Sequence, residues 1–467
     1  MSLESKIISF IKKIGAICLI TILLFTASGC RKGFLDTVPD NITTLENVFA
    51  SRVMSEQWLA RVYNAMPDMW QTPYATQWGG MTDELDYTWI SLPMNNGALV
   101  PDGTAGYWNS YYQAIRYAGV FLQNIDKNQE ILNLNNGTQL IQQYKGEARF
   151  LRAYYYFELV KFFGDVPLVI DKRLGIEEVR SIDRSPKADV YAQIEKDLKE
   201  AYPVLNAVAA QKGRATKGAA QALLGKVYLY QSKWTEADDM FDDVIGSGLY
   251  SLHPVYTELF DVAHENNTET VFDIQYSGLE GGGYGCLVCL EGNAAPGFQG
   301  IRQYNGPIYG DGNSYNLPTE DLYNFFPAGD PRRAATILDI EAFIAAQPNP
   351  SAITYAIGAG GHTGYYNNKY IKRQGEIGLP DNDLTSPVNY RVIRYADVLL
   401  MSAEANYHLG NTSVAQTYVN QIRSRVSIPG VSVNSLDKIY NERRFELSGE
   451  GHRFFDLVRT GKAATAI

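Results

Sequence analysis

The sequence predicts a mostly α protein: a helical-repeat body with long irregular, loop-rich insertions that carry minor β structure. Three observations predict it. Apolar residues recur every three or four positions over many segments, the signature of buried helix faces. Two helix pairs repeat one pattern of small and aromatic residues. Glycine crowds into a single stretch, residues 278–312, where regular helix is disfavoured.

The clearest helix spans Thr138–Phe163. Its apolar positions Ile141, Tyr144, Ala148, Leu151, Tyr155, Leu159 and Phe162 form one face, and Gly164 and Pro167 stop it. The same periodicity predicts helices over Val53–Asn64, Tyr107–Ile125, Lys187–Leu205, Thr216–Gln231 and Trp234–Ile245. Later come Arg391–His408, Ser413–Val426 and Ser435–Leu447. In one pair, Leu224, Gly225 and Tyr228 precede Ala237 and Phe241, the spacing of a tetratricopeptide unit. A second pair, Ala403 and Tyr407 with Ala415 and Val419, reads as the same unit with a turn one residue shorter. Short loops at Ser232-Lys233 and Gly410-Asn411 suit antiparallel helix hairpins.

The first thirty residues read as an address. Lys6, Lys12 and Lys13 precede an apolar run, Ile14–Phe25, too short to span a bilayer comfortably. Ala27-Ser28-Gly29-Cys30 follows, small residues before a cysteine, as in a bacterial lipobox. Residues 1–29 are then a lipoprotein signal peptide, and Cys30 is the lipidated N-terminus, held to a membrane by its acyl chains. The 467-residue chain carries a formal net charge of −10, or −12 without the signal's three lysines and one glutamate. That excludes non-specific nucleic-acid binding, which needs a basic surface. With 45% hydrophobic and 20% charged residues the chain is an ordinary globular protein. Its 32 tyrosines stand against 5 histidines and 4 cysteines, a poor supply of acid–base and metal ligands.

Two segments depart from the helical pattern. Gln71–Gly106 holds Trp78, Asp83, Glu84, Trp89 and Asn95. The stretch 265–389 includes the glycine-rich run with Tyr284, Phe298, Tyr304 and Tyr309. Irregular segments this long in a compact protein are commonly functional, and their aromatic content argues against disorder.

Several motifs resemble the SusD/RagB family of surface lipoproteins, over nearly the whole chain after Cys30. They begin with Cys30, Phe34-Leu35-Asp36 and Pro39. Gly146-Glu147-Ala148-Arg149 then leads to Arg152-Ala153-Tyr154-Tyr155-Tyr156 and Phe163-Gly164-Asp165-Val166-Pro167. Leu317–Leu322, Asp330-Pro331-Arg332 and Arg394–Leu400 follow. Asn441–Leu447 with Glu450–Leu457, Arg459 and Gly461 is the most specific run. The resemblance implies an extracellular lipoprotein on the outer membrane. It would cover a SusC-like TonB-dependent transporter as a hinged lid and capture an oligosaccharide or, in some members, a peptide. It implies no enzyme and no cofactor. It also implies one SusD-like unit over 30–467, with a helical-repeat body (30–264 and 390–467) and a ligand-facing insertion (265–389).

Trp78, Asp83 and Trp89 are the first candidates for ligand contact. An exposed indole covers the apolar face of a sugar ring, and a carboxylate accepts its hydroxyls. The family's glycan site also draws on the later insertion, which adds Tyr284, Arg302 and Tyr304. The absence of a basic cluster in these loops favours a neutral glycan. Glu442, Arg443, Arg444 and Glu446, with Arg453 and Asp456, read as ion pairs that lock the last helices onto the repeats. Cys286-Leu287-Val288-Cys289 is either a loop-stiffening disulfide or two inert thiols. No second C-x-x-C or histidine pair completes a zinc site, so no metal is expected. No G-x-S-x-G or P-loop sequence is present.

Overall fold

The computed structural model describes residues 44–66, 82–86, 101–170, 181–279, 291–357, 362–376 and 384–466, with Ile7, Phe10 and Glu178, and only the backbone of 101–105. The rest of the signal segment, Cys30, Trp78, Trp89, Tyr284 and the Cys286/Cys289 pair lie outside them. The chain divides into Met1–Phe49 and a large unit, Ala50–Ile467. In the first, a short helix, Leu45–Ala50, begins.

The large unit is built on helices that pack in sequence order: α1 (Arg52–Tyr63), α2 (Pro101–Asn124), α3 (Gly137–Phe163), α4 (Lys187–Ala201), α5 (Lys217–Tyr230), α6 (Trp234–Gly246), α7 (Tyr395–His408) and α8 (Thr412–Arg425). Each packs on the next, and α7 packs on α6 although the insertion separates them in sequence. This serial stacking is that of a helical-repeat array. Two further helices, α9 (Leu436–Leu447) and α10 (Arg453–Arg459), follow, and α9 lies against α7.

The ends of these helices follow from the sequence. Gly164, at φ 67°, caps α3. The Thr216 hydroxyl accepts the Ala219 amide at 3.1 Å and starts α5. α4 stops at Ala201, short of the expected Leu205, because Pro203 cannot continue the ladder. α2 starts at Pro101, inside the segment expected to be irregular, with proline at the position that needs no amide hydrogen.

The two repeat units share one turn, not turns of different length. The Lys233 amide donates to the Tyr228 carbonyl at 3.0 Å, and the Asn411 amide to the Asn406 carbonyl at 2.8 Å. Ser232 and Gly410 hold the matching left-handed position, at φ 58° and 85°. Asn406, not Tyr407, therefore corresponds to Tyr228. Gly225 then matches Ala403, Ala237 matches Ala415, and Phe241 matches Val419, all buried. Gly225 is required by packing: a Cβ there would lie 2.5 Å from the Phe241 ring.

Among the described residues the strands are short: β1 (Leu85–Asp86), β2 (Thr270–Ile274), β3 (Ile301–Arg302), β4 (Asp311–Gly312), β5 (Leu317–Pro318), β6 (Ile337–Asp339), β7 (Tyr365–Asn367) and β8 (Tyr390–Arg394). They pair as two-stranded ladders β1–β5, β2–β8, β3–β4 and β6–β7. β8 corrects the expectation of a helix from Arg391. Tyr390 pairs with Ile274 and Arg391 with Asp273, and helical geometry begins only at Tyr395. The glycine-rich stretch also holds one helical turn, Ala295–Gln299. Its glycines permit close crossings as well as loops: a Cβ on Gly312 would lie 2.5 Å from the Gly300 backbone.

Buried ion pairs join the terminal helices to the rest of the large unit, as the charge pattern predicts. Arg332, fully buried, binds Asp330 and Glu442, each at 2.7 Å. Arg394 reaches Glu450 at 2.8 Å and Glu446 at 3.1 Å. Arg443 binds Asp397 at 2.7 Å and Asp456 at 3.1 Å, and Lys226 of α5 shares Asp397 at 3.1 Å. The motifs most specific to the resemblance are thus largely a buried charge network. Such networks favour one geometry more than they add net stability.

Candidate ligand-binding site

Among the described residues, Thr319 and a two-residue ladder join the two irregular segments. Leu85 pairs with Pro318 and Asp86 with Leu317. Leu85 and Leu317 are both buried, so apolar contact reinforces the ladder. The Thr319 hydroxyl donates to the Asp83 carbonyl at 2.8 Å, and its amide to the Glu84 carbonyl at 2.9 Å. The same hydroxyl accepts the Leu322 amide at 3.1 Å and caps the helix Glu320–Phe325. The chain leading into Trp89 is therefore fixed against the insertion.

Asp83 sits at this junction. Its carboxylate accepts two hydrogen bonds from Arg453, at 2.9 and 2.7 Å, and lies 3.2 Å from Arg444. Burial opposes its charge, but Arg453 and Arg444 outweigh burial and hold the carboxyl below its usual range. Both oxygens are committed to protein partners. Next to it, Glu84 is buried 3.5 Å from Arg444. Burial pushes its pKa up to about 7, against the pull of Arg444.

Arg302 and Tyr304 lie on the insertion. The Arg302 amide donates to the Ser314 hydroxyl at 3.0 Å, and its carbonyl accepts the Ala356 amide at 2.8 Å, leaving the side chain half-buried. Tyr304 is 7% exposed and packs with Ile301, Tyr309, Leu338 and Tyr366. Its hydroxyl donates to the Pro307 carbonyl at 2.8 Å, and a Cβ on Gly306 would lie 2.5 Å from that hydroxyl oxygen. Most of the ring is thus core, a role the sequence concealed. β5, the partner of β1, packs on β7, and Ile301 and Tyr304 share one apolar cluster with Leu317 of β5 and Tyr366 of β7, so Asp83 and the Arg302–Tyr304 segment belong to one region. Trp78, Trp89 and Tyr284 lie outside the described residues.

Sequence reasoning passed over other residues of this region. Gln303, Ile308, Ser314 and Asn316 all have positive φ, at 50°, 72°, 58° and 53°. For a β-branched residue such as Ile308 that is a true outlier, and its side chain is 52% exposed. Strained backbone of this kind gathers at binding sites. Nearby, the half-buried Tyr355 hydroxyl donates to Glu341 and lies 3.2 Å from His362 Nε2. Burial lowers the His362 pKa, so the ring is neutral near pH 7. This leaves a phenol, a neutral imidazole and a carboxylate together on the insertion. No sequence motif signals them, because Glu341, Tyr355 and His362 meet only after β6 and β7 pair. Among the described residues, no group of three or more His, Cys, Asp or Glu is placed to hold a metal ion.

Two family models account for most of the chain. Residues 242–467 match the SusD family, and residues 33–229 match a family described as "Starch-binding associating with outer membrane". A solved structure described as a laminarin-binding SusD-like protein is 34% identical, with a TM-score of 0.80 over 89% of this chain and 93% of its own. Surface glycan-binding protein A from Bacteroides fluxus is 25% identical, with a TM-score of 0.75 over 89% and 90%. A SusD-like protein of Bacteroides ovatus is 28% identical over 94% of this chain and 80% of its own. The matched spans take in the ion-paired terminal helices and most of the repeat helices described above, and the chain belongs to the SusD/RagB family.

Proposed function

We propose that this protein captures a neutral glycan at the cell surface and serves as the lid of a SusC-like TonB-dependent transporter. The observation that carries the reading is the 34% identity, across 93% of its length, to a SusD-like protein described as laminarin-binding. Starch-binding protein SusD of Bacteroides thetaiotaomicron, 24% identical over 69% of this chain, supports a glucan as the first ligand class to test. In this reading the helical array is the rigid scaffold, and the region linked through β1 and β5 carries the sugar. Trp78, Trp89 and Tyr284 supply flat apolar faces, and Arg302 supplies hydrogen bonds to ring hydroxyls. An exposed edge of Tyr304 completes the wall. Asp83 contributes by holding the entrance of the Trp89 segment through Arg453.

Lipidated Cys30 places the protein on the outer face of the outer membrane, tethered and free to pivot over a barrel. The family description "associating with outer membrane" supports that location. Binding, orientation and release require no bond-making chemistry.

Titration calorimetry with the soluble fragment beginning at Arg31 tests capture, using laminarin, starch and a mixed peptide pool. Saturable binding of a glucan and none of the peptides is the expected result. Binding of peptides alone would replace the glycan reading with a peptide one. Co-purification of a TonB-dependent barrel with the full-length protein tests the lid role.

A further inference from the structure

A large cleft lies on the helical body, apart from the junction just described. It measures about 880 Å³, within the range of roughly 300–1,000 Å³ typical of small-molecule sites. α1 and α3 form two walls, the loop 206–214 forms a third, and the end of β2 closes the back. It shares no residue with Asp83, Arg302 or Tyr304.

Its floor is a built polar site. Glu147 is fully buried and accepts from Arg214 Nε at 2.8 Å, the Tyr63 hydroxyl at 2.8 Å and Gln143 at 2.9 Å. At the rim Arg52 binds Glu56 at 2.9 Å, and Tyr144 donates to the same carboxylate at 2.6 Å. At the back two polar atoms lack protein partners: Asp273 Oδ1 and Gln275 Nε2. Asp273 is 2% exposed. Both atoms are closed to solvent, and each carries a desolvation cost that an ordered water linking it to a ligand in the cleft would remove. Gln275 is also pinned in place, since its Oε1 accepts from Asn266 at 3.0 Å and from Asn389 at 3.1 Å.

The charges of the lining cancel. Arg52, Lys212 and Arg214 line the cleft together with Glu56, Glu147 and Asp273, whose other oxygen lies 3.8 Å from Arg391 behind the wall. An anion entering would meet three carboxylates, and a cation three basic groups. A hydroxyl both donates and accepts, so a ligand dense in hydroxyls satisfies such a wall without leaving a charge unpaired. We propose that this cleft is a second carbohydrate site on the helical body, taking a short neutral oligosaccharide between Arg52, Arg214 and the Asp273–Gln275 segment. The proposal rests on the glycan-capture reading. It adds that one chain holds two sugar segments at once. Two weak sites on one chain raise the residence of a polymer through effective concentration.

The test is calorimetry of the soluble fragment with laminarihexaose and maltohexaose, on wild type and two blocking variants. Ala60→Trp fills the cleft from α1, and Ala210→Trp fills it from the loop. Neither removes a hydrogen bond described here, and both positions are exposed, so the second serves if the first does not fold. The expected result is two binding events in the wild type, of which either blocking variant removes one. Trp89→Ala should remove the other. One event, lost in Trp89→Ala and intact in both blocking variants, would overturn the second site and leave glycan capture standing. No hexasaccharide binding by the wild type would overturn both. Displacement of a short peptide, but not of a hexasaccharide, by the blocking variants would overturn the carbohydrate assignment.

Discussion

Arg453 grips Asp83 with two parallel hydrogen bonds, at 2.9 and 2.7 Å, across a sequence separation of 370 residues. The pair ties the start of the Trp89 segment to the last helices of the chain. Both side chains are mostly buried, at 18% and 16% exposure. Arg453→Ala should therefore cost about 1–2 kcal/mol, between surface and fully buried pairs. Urea denaturation measures this. If the pair positions the ligand loop, glycan affinity falls as well. An affinity unchanged in a folded variant would restrict Asp83 and Arg453 to stability alone.

Glu84 gives the protein a pH dependence with a definite sign. Its folded pKa, about 7, lies above the ordinary value of 4.5. Between those values the folded state holds the extra proton, so this group's contribution falls as pH rises. His452 acts the other way: burial lowers its pKa to about 4, so its contribution falls as pH drops below 6.5. Glu84→Gln removes the first effect alone. It should raise stability at pH 8 by up to about 3 kcal/mol and change little at pH 4. Melting curves at the two pH values check the sign. Equal shifts at both would show that Glu84 is not the titrating group.

Gly225→Ala tests the close approach of α5 and α6. The added methyl meets the Phe241 ring at 2.5 Å. The helices must separate or the ring must turn, at about 1–3 kcal/mol. The helix propensity gained from alanine, about 1 kcal/mol, offsets only part of this. A lower midpoint in thermal unfolding is expected. A higher one would mean that the ring moves freely.

Trp89→Ala should weaken glucan binding at least roughly tenfold, the loss of one stacked ring and its hydration term. Calorimetry on the folded variant decides the matter. Unchanged affinity would remove Trp89 from the site and leave Trp78 and Tyr284 as the aromatic candidates.

Cys30→Ala should move the protein from the membrane fraction to the soluble fraction, because its acyl chains supply the membrane affinity. Fractionation and an immunoblot read the outcome. Retention of the variant with the membrane would mean that another contact anchors it.

Helix positions were legible because periodicity and breakers are local. Gly164 and Pro203 mark helix ends in the sequence as plainly as in the structure. Arg391–Arg394 misled because Val392 and Ile393 run into α7 without a breaker, and only a partner strand 120 residues earlier makes them extended. Asp83 looked available because its partners, Arg444 and Arg453, lie 361 and 370 residues away in sequence. Tyr304 looked exposed among glycines, yet Leu338 and Tyr366 arrive to bury it. The charge cluster at Glu442–Glu446 was readable in kind, since so many ions on one helix must be paired. Its particular partners, such as Arg332, were not.

The pairing of β2 with β8 has a consequence for how such a protein diversifies. The ladder closes the chain where it leaves and re-enters the body, so everything between Ile274 and Tyr390 is a cassette clasped at its base. Closing a loop of about 115 residues costs roughly 4 kcal/mol plus a constant, and lengthening it by half adds only about 0.4 kcal/mol. Recognition loops can thus be exchanged or extended while the clasp and the stacked helices stay unchanged. A chimera that swaps residues 275–316 for those of a relative, leaving Arg332 and Lys369 in place to pair Glu442, Glu446 and Glu450, should keep the body and change the sugar it recognises.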